Sequence, residues 1–180
     1  MELWDLFDEY RNRLPGTMQR GEPQPPGTYH LVVHICIFDE AGRMLIQHRQ
    51  PFKSGWPDRW DFSVGGSAIA GDDSRAAAER EMREEIGLSL DLSQIRPALT
   101  VNFETGFDDF YMLTHPVDIA TLTPQPEEVS ELRWASREEI HEMIHDGRFI
   151  PYHLSLIDLL FDLKDERDLH QQEKKGESAL

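Results

Sequence analysis

"GSAIAGDDSRAAAEREMREEIGL", residues 66–88, decides how this chain folds. Its second half crowds Glu81, Glu84 and Glu85 into five residues of a chain whose net charge is already −16. "GDDS" (71–74) offers N-caps and Gly87 suits a left-handed C-cap, so the spacing predicts a helix over 75–86. Like charges three and four apart on a helix repel mildly. At about 100° per residue, with Glu81 at zero, Glu84 falls at about 300° and Glu85 at about 40°, so all three share one wall. Ala78, Met82 and Ile86 occupy the adjacent wall, which should face the core. Carboxylates at such a boundary are placed to hold a hard cation through oxygen. The bland alternative is a solvated acidic face.

Outward from this helix, 180 residues with 39% hydrophobic and 29% charged content describe one well-cored globular domain. The longest apolar run, "LVVHICIF" (31–38), is far too short to span a bilayer, and the acidic "MELWDLFDEY" start is no secretory signal. Cys36 inside that run is expected to be a small buried hydrophobe in a reducing, cytoplasmic setting. The acidic balance argues against broad nucleic-acid binding but not against an anionic small molecule, because a bound divalent cation reverses the local field.

Strands are expected at 2–7, 30–38, 43–49 and 60–64, the last halted by Gly65-Gly66. The Gly- and Pro-rich "PGTMQRGEPQPPG" (15–27) reads as an extended connector. Further strands are expected near 98–104, 108–114 and 129–136. A helix over 136–147 opens with a Ser136–Glu139 capping box, and a last helix spans 152–164. The expected organisation is an N-terminal strand and connector (1–27), one domain (28–164) and a polar tail (165–180).

Read together, Gly66-x5-Asp72-x7-Arg80-Glu81-Met82-Arg83-Glu84-Glu85-Ile86-Gly87-Leu88 resembles the Nudix box, G-x5-E-x7-R-E-U-x-E-E-x-G-U, with U a bulky aliphatic residue. Asp72 in place of Glu is the departure. The resemblance implies an α+β Nudix fold, a mixed sheet sandwiched between helices. It implies that Glu84 and Glu85 ligate a divalent cation, Mg²⁺ or alternatively Mn²⁺. Glu81 would be a further ligand or a base, and the Gly65 carbonyl would complete the site. Gly66, Asp72, Arg80 and Gly87 would be structural, with Arg80 paired to Asp72 and orienting Glu81. The implied activity is metal-dependent hydrolysis of a small-molecule diphosphate, with a homodimer as a candidate assembly.

Residues 30–67 also resemble, without gaps, the type I isopentenyl-diphosphate isomerases, which are Nudix-fold relatives. That resemblance implies that Arg49 and Lys53 contact the diphosphate. The isomerases' essential cysteine falls at Gly65 here and a metal-binding histidine at Ser67, so hydrolysis is the stronger expectation and isomerase-like chemistry or a non-catalytic ligand sensor the alternatives. Asp108 and Asp109 match the region of the isomerase glutamates. Glu127 and Glu128 lie where many Nudix hydrolases carry an extra acid. Trp56 and Trp60 are candidates to stack on a base or line the pocket, with Trp60 equally suited to the core. "HEMIH" (141–145) matches the zinc-protease pattern H-E-x-x-H, but five-residue patterns recur by chance and no companion region follows, so a surface histidine pair is expected.

Overall fold

A computed structural model describes residues 2–164, so the expected polar tail over 165–180 lies outside the described residues. The chain opens with an antiparallel hairpin of β1 (Leu3–Phe7) and β2 (Arg13–Gln19). The connector expected from residue 15 therefore begins as a strand. Pro15 and Gly16 fall where the register slips between the Asp5–Thr17 and Phe7–Arg13 pairs, and Gly16 takes φ +91°. A bulge in a two-stranded ribbon accommodates both residues without the loss of a central ladder bond.

The main sheet comprises β3 (His30–Phe38), β4 (Met44–Arg49), β5 (Trp60–Asp61), β6 (Val64–Ser67), β7 (Leu99–Phe103), β8 (Gly106–Thr114) and β9 (Val129–Ala135). Among the described residues three α-helices accompany it, α1 (Ser74–Ile86), α2 (Arg137–His145) and α3 (Leu154–Leu163), with a short 3-10 turn at Ile119–Thr121. The expected strand over 60–64 is two strands, and Gly65 and Gly66 lie inside β6, where they pair with His34 and Val33, rather than ending it. Glycine persists in a strand where another group must approach the backbone closely; that group is identified below.

β3 and β4 pair at Phe38 and Met44, beside their turn, and then diverge. β3 recruits β8 in parallel and β6 antiparallel, while β4 recruits β5 and β9. The pleat sorts side chains to two faces. Val33, Ile35, Leu45 and Tyr111 pack with Ala78, Met82 and Ile86 of α1. Phe38, Ile46, Phe110 and Met112 pack with Ile140, Ile157 and Leu160 of α2 and α3. This is the α+β sandwich that the sequence predicts, with α1 alone on one face. Fully buried Ile, Leu or Phe side chains each contribute on the order of 1.5–3 kcal/mol to such a core. Cys36 is buried among them, and burial pushes its thiol up. Trp60 also belongs to the α2/α3 core. Among the described residues no helix is long and apolar enough to cross a membrane.

Candidate active site

The acidic helix begins where Asp73, in extended backbone, accepts a hydrogen bond from the Ala76 amide at 2.8 Å. It stops at Gly87, φ +71°, whose amide donates to the Met82 carbonyl. That stop leaves two carbonyls for a later segment: Thr123 donates to Ile86 and Gln125 to Glu85. The loop carrying Gln125 and Glu128 is thereby fastened beside the helix C-terminus, close to the acids.

The three glutamates do not share one environment. Glu81 and Glu85 turn inward, 9% and 5% exposed, whereas Glu84 is exposed. Glu85 reaches into the divergence between β4 and β6, accepting from Gln47 Nε2 at 3.0 Å and from the Gly65 amide at 3.2 Å. Burial raises its pKa to about 7, the neighbouring Glu81 charge adds to the rise, and the two donors oppose it. Burial raises Glu81 as well, against the pull of the Arg80 guanidinium. A Cβ at Gly66 would land on the Glu81 carboxyl group, so the helix approaches β6 only because residue 66 has no side chain.

Arg80 joins these pieces. Its Nε donates to Asp72 at 3.1 Å, Nη1 to Glu81 at 2.9 Å and to Glu84 at 3.0 Å, and Nη2 to the Ser67 carbonyl at 3.0 Å. Asp72 thus makes the contact expected of the longer glutamate. Because Glu84 is held toward Arg80, the acids stand as a buried pair plus one exposed carboxylate. Among the described residues no three His, Cys, Asp or Glu side chains yet converge as a cage.

Glu81, Glu84 and Glu85 line a cavity of about 340 Å³, together with Gly65, Gly66 and Arg80. Arg49, Lys53 and, from the N-terminal hairpin, Arg20 also line it, with Glu2 beside Arg20 and Glu128 beside Lys53. Arg49 donates to the Gly55 carbonyl at 2.9 Å and lies 3.5 Å from Asp61. Lys53 pairs with Glu128, and burial lowers its pKa, with Arg49 contributing. The fold therefore brings together ten residues expected at the site: Gly65, Gly66, Asp72, Arg80, the three glutamates, Arg49, Lys53 and Glu128.

Others stand apart. Glu127 is exposed and does not line the cavity. Trp56 is 52% exposed with φ +50°, on the loop after Arg49 and outside the cavity lining. Asp109 is wholly buried on the α1 face, where Arg11, Ser74 and Thr100 bond it. Asp108, on the opposite face, holds His34 at 2.8 Å directly behind Gly65. Burial disfavours the His34 charge, but Asp108 outweighs it and the pKa is raised. Of "HEMIH", His141 lies 3.1 Å from Asp158 of α3 and His145 is exposed, so the pair decorates the α2 surface. Sequence reasoning missed Glu2, Arg20, Gln47 and Gln125. Gln47 carried a usable signal, as a polar residue on the inward-facing register of a buried strand.

Comparison with known proteins places the chain in a family and a fold. The NUDIX domain model matches residues 28–155. An uncharacterised Nudix hydrolase of Listeria innocua is 46% identical over 170 residues, covering 94% of this chain and 99% of that protein. An isopentenyl-diphosphate Delta-isomerase of Nocardia farcinica is 31% identical over 141 residues, covering 76% of this chain and 80% of that protein. A crystal structure from Deinococcus radiodurans superposes with a TM-score of 0.72 at 26% identity, covering 88% of this chain and 97% of the other. The family match over most of the chain and the closely covered relative together show that the chain belongs to the Nudix family and is an enzyme of its pyrophosphohydrolase type.

Proposed function

We propose that this protein hydrolyses a diphosphate linkage in a nucleoside-diphosphate-X or related small molecule, with Mg²⁺ held by Glu81, Glu84 and Glu85. One observation carries the reading: a single cavity gathers the buried carboxylate pair Glu81 and Glu85 together with Arg49 and Lys53. The donor set is all oxygen, which suits a hard cation, and a divalent charge would relieve the burial that pushes Glu81 and Glu85 upward. When bound, such a cation neutralises phosphoryl oxygens and acidifies a water.

The protein's own groups perform the rest. Gln47 and the Gly65 amide fix the Glu85 carboxylate. Arg80 fixes Glu81 and holds Glu84 beside it, and Glu84 would join Glu81 and Glu85 in holding the cation. Glu81 would serve either as a further ligand or as the base that takes a proton from the attacking water. Arg49 and Lys53 bind and orient the diphosphate oxygens, which compete with Glu128 for the Lys53 ammonium.

Isomerase-like chemistry is the weaker reading. A Cβ at Gly65 would come 2.6 Å from the His34 ring, which Asp108 pins, so the position that resembles the isomerase cysteine cannot hold a thiol without displacing that ring.

The test is a substrate panel with Mg²⁺: nucleoside triphosphates, nucleotide sugars, dinucleotide cofactors and isopentenyl diphosphate. Hydrolysis of at least one compound is expected, and Glu84→Gln and Glu85→Gln should each remove most of it. No turnover of any compound, or full turnover by both variants, defeats the reading. Isomerisation of isopentenyl diphosphate would restore the alternative.

A further inference from the structure

The N-terminal hairpin precedes the span matched by the family model, yet it supplies part of the cavity wall. It is fastened to the loop that leads into the acid helix. Ala70 donates to the Leu3 carbonyl at 2.7 Å, Gly71 to Asp5 at 2.8 Å, and Arg13 to the Asp72 carbonyl at 2.9 Å. Trp4 stacks on His30, with ring centroids 4.4 Å apart and planes 13° from parallel, which ties the hairpin to the start of β3. These contacts place the hairpin's end, Glu2 and Arg20, at the cavity.

Arg20 is half exposed there. It pairs with Glu2 at 2.7 Å, and its guanidinium lies 6.0 Å from the Trp4 ring centre. The backbone agrees, since the Arg20 amide donates to the Glu2 carbonyl at 3.0 Å. Arg20 is therefore placed at the cavity beside the Trp4 indole and by a short ladder, while its ionic partner, Glu2, is a partly exposed carboxylate that a phosphoryl group can replace. A guanidinium binds phosphate through paired N–H groups more strongly than it binds a solvated carboxylate.

We infer that Arg20 is a specificity-determining residue of this site, contacting a third anionic group of the substrate beyond the diphosphate carried by Arg49 and Lys53, so that triphosphate-type compounds are preferred. The inference rests on the phosphate-binding assignment of the same cavity. Glu2 acts as the exchangeable counter-ion, neutralising Arg20 until the third group arrives.

The probes are imidodiphosphate and imidotriphosphate, titrated calorimetrically in Mg²⁺ into wild type, Arg20→Ala, Arg20→Lys and Glu2→Gln, with melting curves to confirm folding. Arg20→Ala should weaken imidotriphosphate about 10-fold and imidodiphosphate less than about 2-fold, since one charge-assisted contact is worth about that factor. Arg20→Lys should recover only part of the loss, since it keeps the charge and lacks the paired N–H groups. Glu2→Gln should tighten imidotriphosphate about 2–3-fold by freeing the guanidinium. Equal weakening of both probes, no effect of Arg20→Ala, or a wild type that binds neither probe overturns the inference. Binding that obeys it, in a protein that turns over nothing in the panel, would defeat the hydrolase reading alone. Turnover indifferent to Arg20 would defeat the specificity assignment alone.

Discussion

Asp109 and Glu85 are carboxylates buried at opposite ends of the same helix, 0% and 5% exposed, and the fold treats them oppositely. Asp109 is compensated: Arg11 clasps it two-pronged, Ser74 donates at 2.5 Å and Thr100 at 2.6 Å. Among the described residues Glu85 receives only an amide and a carboxamide, with a second carboxylate beside it, and burial carries its pKa to about 7. A buried charge with a full set of partners is part of the scaffold, whereas one left short is disposed to bind a cation. Burial alone does not separate the two. The neutralising partners do.

Removing Asp109 should do the most damage to stability. Asp109→Ala leaves Arg11 half-buried without its partner and should cost about 3–5 kcal/mol in urea unfolding, with kcat of the folded fraction nearly unchanged. Loss of turnover at unaltered stability would instead move Asp109 into the catalytic machinery and collapse the contrast. Glu85→Gln should behave in the opposite way. Turnover should fall about 10³-fold, a loss of roughly 4 kcal/mol of transition-state stabilisation, while the metal-free protein melts higher than wild type. A lower melting temperature would class Glu85 with Asp109.

The pH dependence sharpens the same contrast. Because the folded-state pKa of Glu85 is raised from 4.5 to about 7, its contribution to stability is fully present below about pH 4.5 and is lost as pH rises through 7. The melting temperature of metal-free wild type should therefore fall relative to Glu85→Gln across that window, by at most about 3.5 kcal/mol in stability. Mg²⁺ should reverse the trend, raising the melting temperature more at pH 8 than at pH 5.5, since the cation competes with the proton. A pH-independent gap between the two proteins would contradict this. The smallest effect is expected at Asp72→Glu. Arg80 already reaches Asp72 at 3.1 Å, so restoring the longer acid should change stability by less than about 0.5 kcal/mol.

Much of the acid wall was legible in the chain because its parts are local. Arg80 and Glu84 are one helical turn apart, Gly87 ends the helix by its own backbone freedom, and Asp72 lies eight residues from Arg80. The cavity's cationic residues were legible in part. Arg49 and Lys53 sit in one strand-loop unit, but Arg20 reaches them only through hairpin contacts with Ala70, Gly71 and Asp72. The neighbouring acids Asp108 and Asp109 looked interchangeable in sequence. The pleat sends one to His34 behind Gly65 and the other to Arg11 beneath the start of α1.

By itself, then, the sequence determined the α+β layering, the acid helix with both caps, and the box that marks the family, because periodicity, capping and spacing act over a few residues. Only the tertiary structure decided which of the crowded glutamates are buried and where Gly65 and Gly66 lie in the sheet. It also separated the structural carboxylate from those that face the cavity, and it brought the N-terminal hairpin to the wall. Each of those outcomes depends on desolvation and on partners distant in sequence, and neither is defined until the sheet has brought them together.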